Sequence, residues 1–341
     1  METGDTIMTG NVTLDQQAAG AHGMCFENAA TKLDRLTVFG CFFLLSLSLL
    51  FNGLQIVTFS SPSLRRFAFS TFLITSAVSD FLALLTSLPR RWLSLVYRFF
   101  SLDPSNTFYN DDLLSCRTLT YFSYVTRFVS AWNVVALTLE RLILAKDPYR
   151  KSLLRRSGTA YKQVLSIVVT SCVVNCHVPF TWNIVESSET GEKSCLLKLK
   201  SSELESLVTI VNFLLIVLLP LFVTTVLALL TAQNLNKPIW KVKPRELKKR
   251  IIAKIKLERQ ATFMILSLSI SYCILTLPFA VSWLVLLGKY FFAQNVTSCE
   301  FERDVIANDA CELAAMLNFV VKYLVCFMFG QGVINREKRR K

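Results

Sequence analysis

Apolar residues in this chain do not alternate with polar ones at the period of a strand. They come in long runs separated by short charged clusters. Seven such runs lie at roughly 35–59, 67–93, 114–146, 162–182, 205–233, 247–288 and 306–331. Each is long enough for a helix to cross a hydrocarbon core, which takes about 20 residues for ~30 Å. The sixth run is the longest because of its basic start, "RELKKRIIAKIKLERQ", which is predicted to leave the membrane as an amphipathic helix. No internal repeat is evident. The pattern predicts one all-α membrane domain, a seven-transmembrane helix bundle over 35–331. An amino-terminal segment, 1–34, precedes it and a short basic tail, 332–341, follows.

Composition agrees with that class. The 341 residues are 52% hydrophobic and 12% aromatic, with a mean hydropathy of +0.45. Only 18% are charged, against about 25% in an ordinary soluble domain. The net charge of +13 is distributed by side. The loops on one side hold about 23 Lys and Arg, and those on the other about 11, with about 18 Asp and Glu. By the positive-inside rule the amino terminus lies outside. Two "NVT" sequons, at Asn11 and Asn295, fall on that same side, where glycosylation requires them. The basic residues thus follow topology and are no nucleic-acid signal; the cluster from Arg336 to Lys341 is expected to contact anionic membrane lipid. The amino terminus lacks the basic-then-apolar pattern of a cleaved signal, so the first run is expected to act as the insertion signal. There is no metal-type Cys/His spacing and no Walker or dinucleotide glycine pattern, and the chain has only two histidines. No cofactor, metal site or catalytic constellation is predicted.

Specific residues carry a resemblance to the rhodopsin-like G protein-coupled receptors over nearly the full length. They are Asn52 in "LLFNGLQIV", Asp80 in "SAVSDFLALL" and Pro89 in "SLPRRW", a form common among peptide receptors. Cys116 opens the third run and Glu140-Arg141 closes it, Arg141 standing 25 positions after Cys116. Pro148, Pro179, Pro220 and Pro278 match the family's prolines, and Glu258 stands 20 residues before Pro278. The resemblance implies a disulfide between Cys116 and Cys195, and an inner lock in which Arg141 pairs with Glu140 and Glu258. It also implies signalling to a heterotrimeric G protein when the sixth helix swings outward, a bistable element biased by ligand affinity. One further disulfide among Cys25, Cys299 and Cys311 is expected, in any of three pairings. Cys41, Cys172, Cys176, Cys273 and Cys326 read as small buried hydrophobes.

The departures from the family fall on its usual relay between pocket and inner face. The seventh-helix Asn-Pro-x-x-Tyr motif reads Lys322-Tyr323-Leu324-Val325-Cys326. Thr276 replaces the sixth-helix tryptophan, Ala228 the fifth-helix tyrosine, Val169 the fourth-helix tryptophan, and Leu142 the aromatic after Arg141. A non-signalling decoy receptor is therefore the alternative to a coupled one. A transporter would show paired helix breaks in two halves, and none are visible.

Lys322 lies in "LNFVVKYLVCFMFG", where it is the only charge. At the bilayer centre such a residue costs about 3 kcal/mol on insertion scales, so it needs a partner. In an opsin the retinal lysine would stand where Met316 stands, which argues against a Schiff base. Snorkelling to a lipid interface is a second reading. The favoured reading is an ion pair with Asp80, in the polar core that the resemblance assigns to Asn52, Asp80, Ser130 and Asn318. There the ammonium would stand where the family binds sodium.

For the ligand, Ser123 takes the position of the aminergic aspartate, which disfavours an amine. Ser123, Arg127, Thr276 and Glu312 are the expected ligand-binding residues, and Arg127 and Glu312 could instead pair with each other. Outer loops rich in Asp and Glu would steer a cationic ligand, which favours a basic, amidated neuropeptide. Arg127 argues the other way, for a carboxylate-bearing ligand, and a non-peptide receptor of that kind is the alternative. The expected location is the plasma membrane.

Overall fold

The computed structural model describes residues 27–62, 64, 65, 67–99, 112–146, 157–186, 193–199, 201–235, 249–292 and 298–338. In chain order the elements are α1 (Glu27–Phe59), α2 (Ala68–Phe99), α3 (Leu113–Lys146), α4 (Ser157–Val174) and the single turn α5 (Val178–Thr181). A hairpin of β1 (Trp182–Glu186) and β2 (Lys193–Leu197) follows. Then come α6 (Ser202–Phe213), a π-helical turn (Leu214–Leu218), α7 (Leu219–Leu235), α8 (Lys249–Phe292), α9 (Ser298–Met316) and α10 (Asn318–Lys338). Seven helical stretches among the described residues are long and apolar enough to cross a membrane. Helices are the expected solution, because lipid offers backbone N–H and C=O groups no partner.

The centre of the bundle is α3, which packs against α2, α4, α7 and α8. Of its most apolar window 72% is buried, against 17% for the sixth span. The outward faces are apolar, as at Phe39, Phe42, Phe43 and Phe222. Their helices gain nothing from avoiding water by packing together, so side-chain fit and interhelical hydrogen bonds must hold them. Two small contacts show this. Gln55 Nε2 donates to the Leu73 carbonyl at 2.8 Å, and Thr138 and Ser269 share a hydrogen bond at 2.8 Å.

Local chemistry sets several helix ends. Asp112 starts α3 by accepting from the Ser115 hydroxyl (2.8 Å) and from the backbone N–H groups of Leu114 (3.2 Å) and Ser115 (3.1 Å). Those bonds, the hydroxyl first, hold its carboxyl below the usual carboxylate range. The cap is therefore complete above the unfolded-state value and weakens as pH falls through the lowered one. Ser201 caps α6 through Leu204 N–H, with Glu203 and Glu205 in the first turn, where the helix dipole favours anions.

Three of the predicted spans are interrupted. The fourth divides between α4 and α5 just before Pro179. The fifth widens into the π turn immediately before Pro220, whose missing N–H removes a ladder bond. The Leu215 carbonyl in this turn accepts from Trp132 Nε1 at 3.1 Å. The seventh breaks at Leu317, although no proline or glycine occurs between 309 and 329. Just past that break Asn52 Nδ2 donates to the Phe319 carbonyl at 3.0 Å.

Among the described residues the hairpin is the one addition to the all-α expectation. It runs antiparallel with Ile184 opposite Cys195, and the Cys116–Cys195 disulfide fastens it to α3. Arg117 secures it further, donating to the Trp182 carbonyl (3.0 Å) and the Asn183 side chain (2.7 Å). Cys299 is disulfide-bonded to a partner outside the described residues, and Cys311 is a free thiol, which excludes the pairings through Cys311. Of the five cysteines read as buried, Cys41 and Cys326 are buried, Cys172 and Cys273 are half-buried, and Cys176 is exposed. The sequons at Asn11 and Asn295, and Cys25, lie outside the described residues.

Candidate functional site

Three polar sites are strung along the bundle. The first is a cavity between α3, the π turn, α8, α9 and α10, with about 80 Å³ of space for water-sized spheres. Arg127, Thr276 and Glu312 line it, with Tyr272, Phe279, Met316 and Phe319 among its apolar walls. Arg127 Nη1 stands 3.5 Å from Glu312 Oε1, and the two side chains are 29% and 23% exposed. Ser123 is half-buried one turn away from Arg127 on α3 and lies outside this lining. Phe213 stacks on Trp283 beside it, with ring centroids 3.8 Å apart, joining α6 to α8.

The second site forms the cavity's deep end, since Ser130 lines the cavity and also touches Asp80. Lys322 Nζ lies 2.9 Å from Asp80 Oδ2 and 3.0 Å from Oδ1. It also donates to Ser76 Oγ at 2.9 Å and to Ser130 Oγ at 3.0 Å. Both hydroxyls donate in turn to Asp80, Ser76 to Oδ2 at 3.2 Å and Ser130 to Oδ1. Asp80 is 0% and Lys322 4% exposed. That burial rules out the snorkelling reading, and engagement of the ammonium argues against a Schiff-base lysine. Each carboxylate oxygen receives an ammonium and a hydroxyl contact, which fills its ordinary lone-pair capacity.

Asn52 and Asn318 stand near this cluster without joining it. Asn52 bonds Ser48 Oγ (2.9 Å) and the Phe319 carbonyl, and buried Asn318 lines the cavity. Ser76 was not foreseen, though its place four residues before Asp80 puts it on the same helix face.

The third site is the lock at the other end of α3. Arg141 Nη2 is 3.1 Å from Glu140 Oε2, and Nη1 is 3.3 Å from Glu258 Oε2 on α8. Arg141 is only 2% exposed. Its guanidinium also lies over the Phe69 ring, 5.2 Å from the centroid, while Phe69 stacks with Phe67 and meets Phe59 edge-on. No sequence signal marked Phe69. An arginine gripped by two carboxylates and an aromatic face is a device for holding α3, α8 and α2 together. Nothing in it is arranged for bond-making chemistry. Among the described residues there is no cluster of His, Cys, Asp and Glu fit to hold a metal ion.

Compared with known proteins, the chain matches the sequence model of the seven-transmembrane receptors of the rhodopsin family over residues 51–335. No curated protein matches it.

Proposed function

The chain belongs to the rhodopsin family of seven-transmembrane receptors and is a multi-pass membrane protein, and from that premise we propose that it is a plasma-membrane receptor for a neuropeptide, signalling through a heterotrimeric G protein. The amino terminus and the hairpin face outside, and ligand enters from that side. The observation that supports this reading best is the pair of Arg141 contacts, with Glu140 at 3.1 Å on its own helix and Glu258 at 3.3 Å on α8. Outward movement of α8 separates Glu258 from Arg141 and frees the guanidinium for a G protein. A ligand shifts this equilibrium only by its differential affinity for the two states. The charged cavity and the lock share α3 and α8, so a ligand wedged between those helices acts on both ends of the same pair.

The test expresses the intact chain and follows dissociation of each G protein family in response to a neuropeptide library, with Arg141→Ala as control. A peptide response that the substitution abolishes supports the reading. Silence with normal surface expression contradicts it.

One observation favours a second reading, a decoy receptor that binds without signalling. The Lys322–Asp80–Ser76–Ser130 network fastens α2, α3 and α10 where the family's relay residues are replaced. In that case labelled peptides bind the same cells while no G protein dissociates.

A further inference from the structure

We propose that the seventh span works as two parts joined by a hinge at Leu317: α9 moves with the outer part of α8, while α10 stays fixed to α2 and α3. This deepens the receptor reading above, on which only its signalling consequence rests.

Polar contacts sort the two halves of the span to different neighbours. In the outer half, Ser282 Oγ donates to Asn308 Oδ1 at 3.0 Å, and Lys289 pairs with Asp304. Ser282 and Lys289 are seven residues apart on α8, and Asp304 and Asn308 four apart on α9, so each pair shares one helix face. Two rungs therefore join α8 to α9 along one seam. Both lie on the outer side of Pro278, which interrupts the hydrogen-bond ladder inside α8. In the inner half the neighbours change. Lys322 Nζ is held by Asp80 on α2 and by Ser76 and Ser130, all within 3.0 Å. The Phe319 carbonyl is held by Asn52 on α1.

Leu317 stands between these two attachments. Its N–H closes a tight turn onto the Ala314 carbonyl at 3.1 Å. Its own carbonyl starts α10, accepting from the Val320 and Val321 N–H groups at 2.9 Å each. A residue between two helix ends can absorb a change in backbone angles, and it need not be small. Leu313 and Met316 of α9 belong to an apolar cluster with Cys41, Leu84 and Leu88 of α1 and α2. Packed apolar faces of this kind permit small sliding movements.

The relative strength of the attachments decides which part moves. Pulling α10 away would strand the buried Lys322 and Asp80 charges, which is strongly unfavourable. Parting the inner end of α8 from α3 breaks two single contacts, Glu258 with Arg141 at 3.3 Å and Ser269 with Thr138 at 2.8 Å. Arg141 keeps Glu140 as a partner throughout. When α8 tilts, the two rungs carry α9 with it, and the bend falls at Leu317.

The experiment measures hydrogen–deuterium exchange by mass spectrometry on the full-length chain in lipid nanodiscs. Glu258→Ala, which frees the inner end of α8, should speed exchange between residues 314 and 321 about tenfold through local opening. Residues 322–329 should be unchanged. Two disulfides, each verified by intact mass, are then added to this variant. Ser282→Cys/Asn308→Cys joins helices that move together and should leave the faster exchange in place. Thr138→Cys/Ser269→Cys ties α8 back to α3 and should abolish it. Unchanged exchange at 314–321, an equal rise through 322–329, or suppression by the outer disulfide would each overturn the proposal. The expected exchange pattern with no G protein activation in any variant would keep the hinge and lose the receptor reading.

Discussion

Lys322 and Asp80 form a two-point ion pair, Nζ to Oδ2 at 2.9 Å and to Oδ1 at 3.0 Å, at the centre of a helix bundle. Neither group is accessible, with 4% and 0% exposed. Two serine hydroxyls complete the network, so each charge is both paired and hydrogen-bonded. A buried pair of this kind contributes little relative to apolar residues, yet breaking it strands a charge.

Single substitutions should therefore be far worse than the double one. Lys322→Met or Asp80→Asn should each destabilise by about 3–5 kcal/mol, and the combined variant should recover most of that loss. Thermal unfolding of the three variants in detergent, followed with a thiol-reactive dye, checks the order.

The same pair predicts indifference to sodium. With its oxygens already occupied by the Lys322 ammonium and the two hydroxyls, Asp80 offers a cation no open coordination. Unfolding temperature should be the same in sodium chloride and choline chloride at equal ionic strength. Lys322→Ala frees the carboxylate between Ser76 and Ser130, and should acquire a stabilisation that grows with sodium concentration. Sodium dependence in the intact protein would count against the account.

Phe69 should restrain Arg141. A guanidinium over an aromatic face is worth about 1 kcal/mol, and Phe69→Leu removes the face while keeping an apolar side chain. Ligand-free G protein activation should rise about fivefold if that energy holds the resting state. A fall in basal activity would show that the ring supports the active state instead.

Trp132 supports the π turn. Its indole N–H is bonded to the Leu215 carbonyl at 3.1 Å, and its ring stacks on Phe128. Trp132→Phe keeps most of the stacking and loses the donor, for a cost of about 0.5–1.5 kcal/mol. Unfolding temperature of the purified variant reads that directly.

Much of this fold was legible in the sequence because lipid imposes simple rules. A run of about 20 apolar residues has few alternatives to a spanning helix, and a charge inside one must find its opposite. Hence Lys322 pointed to Asp80 across 242 residues of chain. What stayed hidden depends on contacts between distant segments. The break at Leu317 has no proline or glycine to announce it, and the nearby contact comes from Asn52, 267 residues away from Phe319. The grip of Phe69 on Arg141 likewise exists only once α2 and α3 are packed. The β1–β2 hairpin, held against α3 through Cys195, likewise appears only in the folded chain. Ser76 is different, since its spacing from Asp80 was visible and a helical wheel would have found it.

The most direct test of a receptor held at rest by the Arg141–Glu258 contact is ligand-free G protein activation in intact cells. It compares the unmodified chain, Glu258→Ala and the double variant Glu258→Ala/Arg141→Ala, at matched surface expression. The account predicts that removing Glu258 raises basal activation about tenfold or more, by the ~1.5–3 kcal/mol scale of a hydrogen bond to a charged group, and that the second substitution returns it to background. Equal and negligible activation in all three would contradict it, and would leave a bundle whose buried arginine holds helices together without releasing a signal.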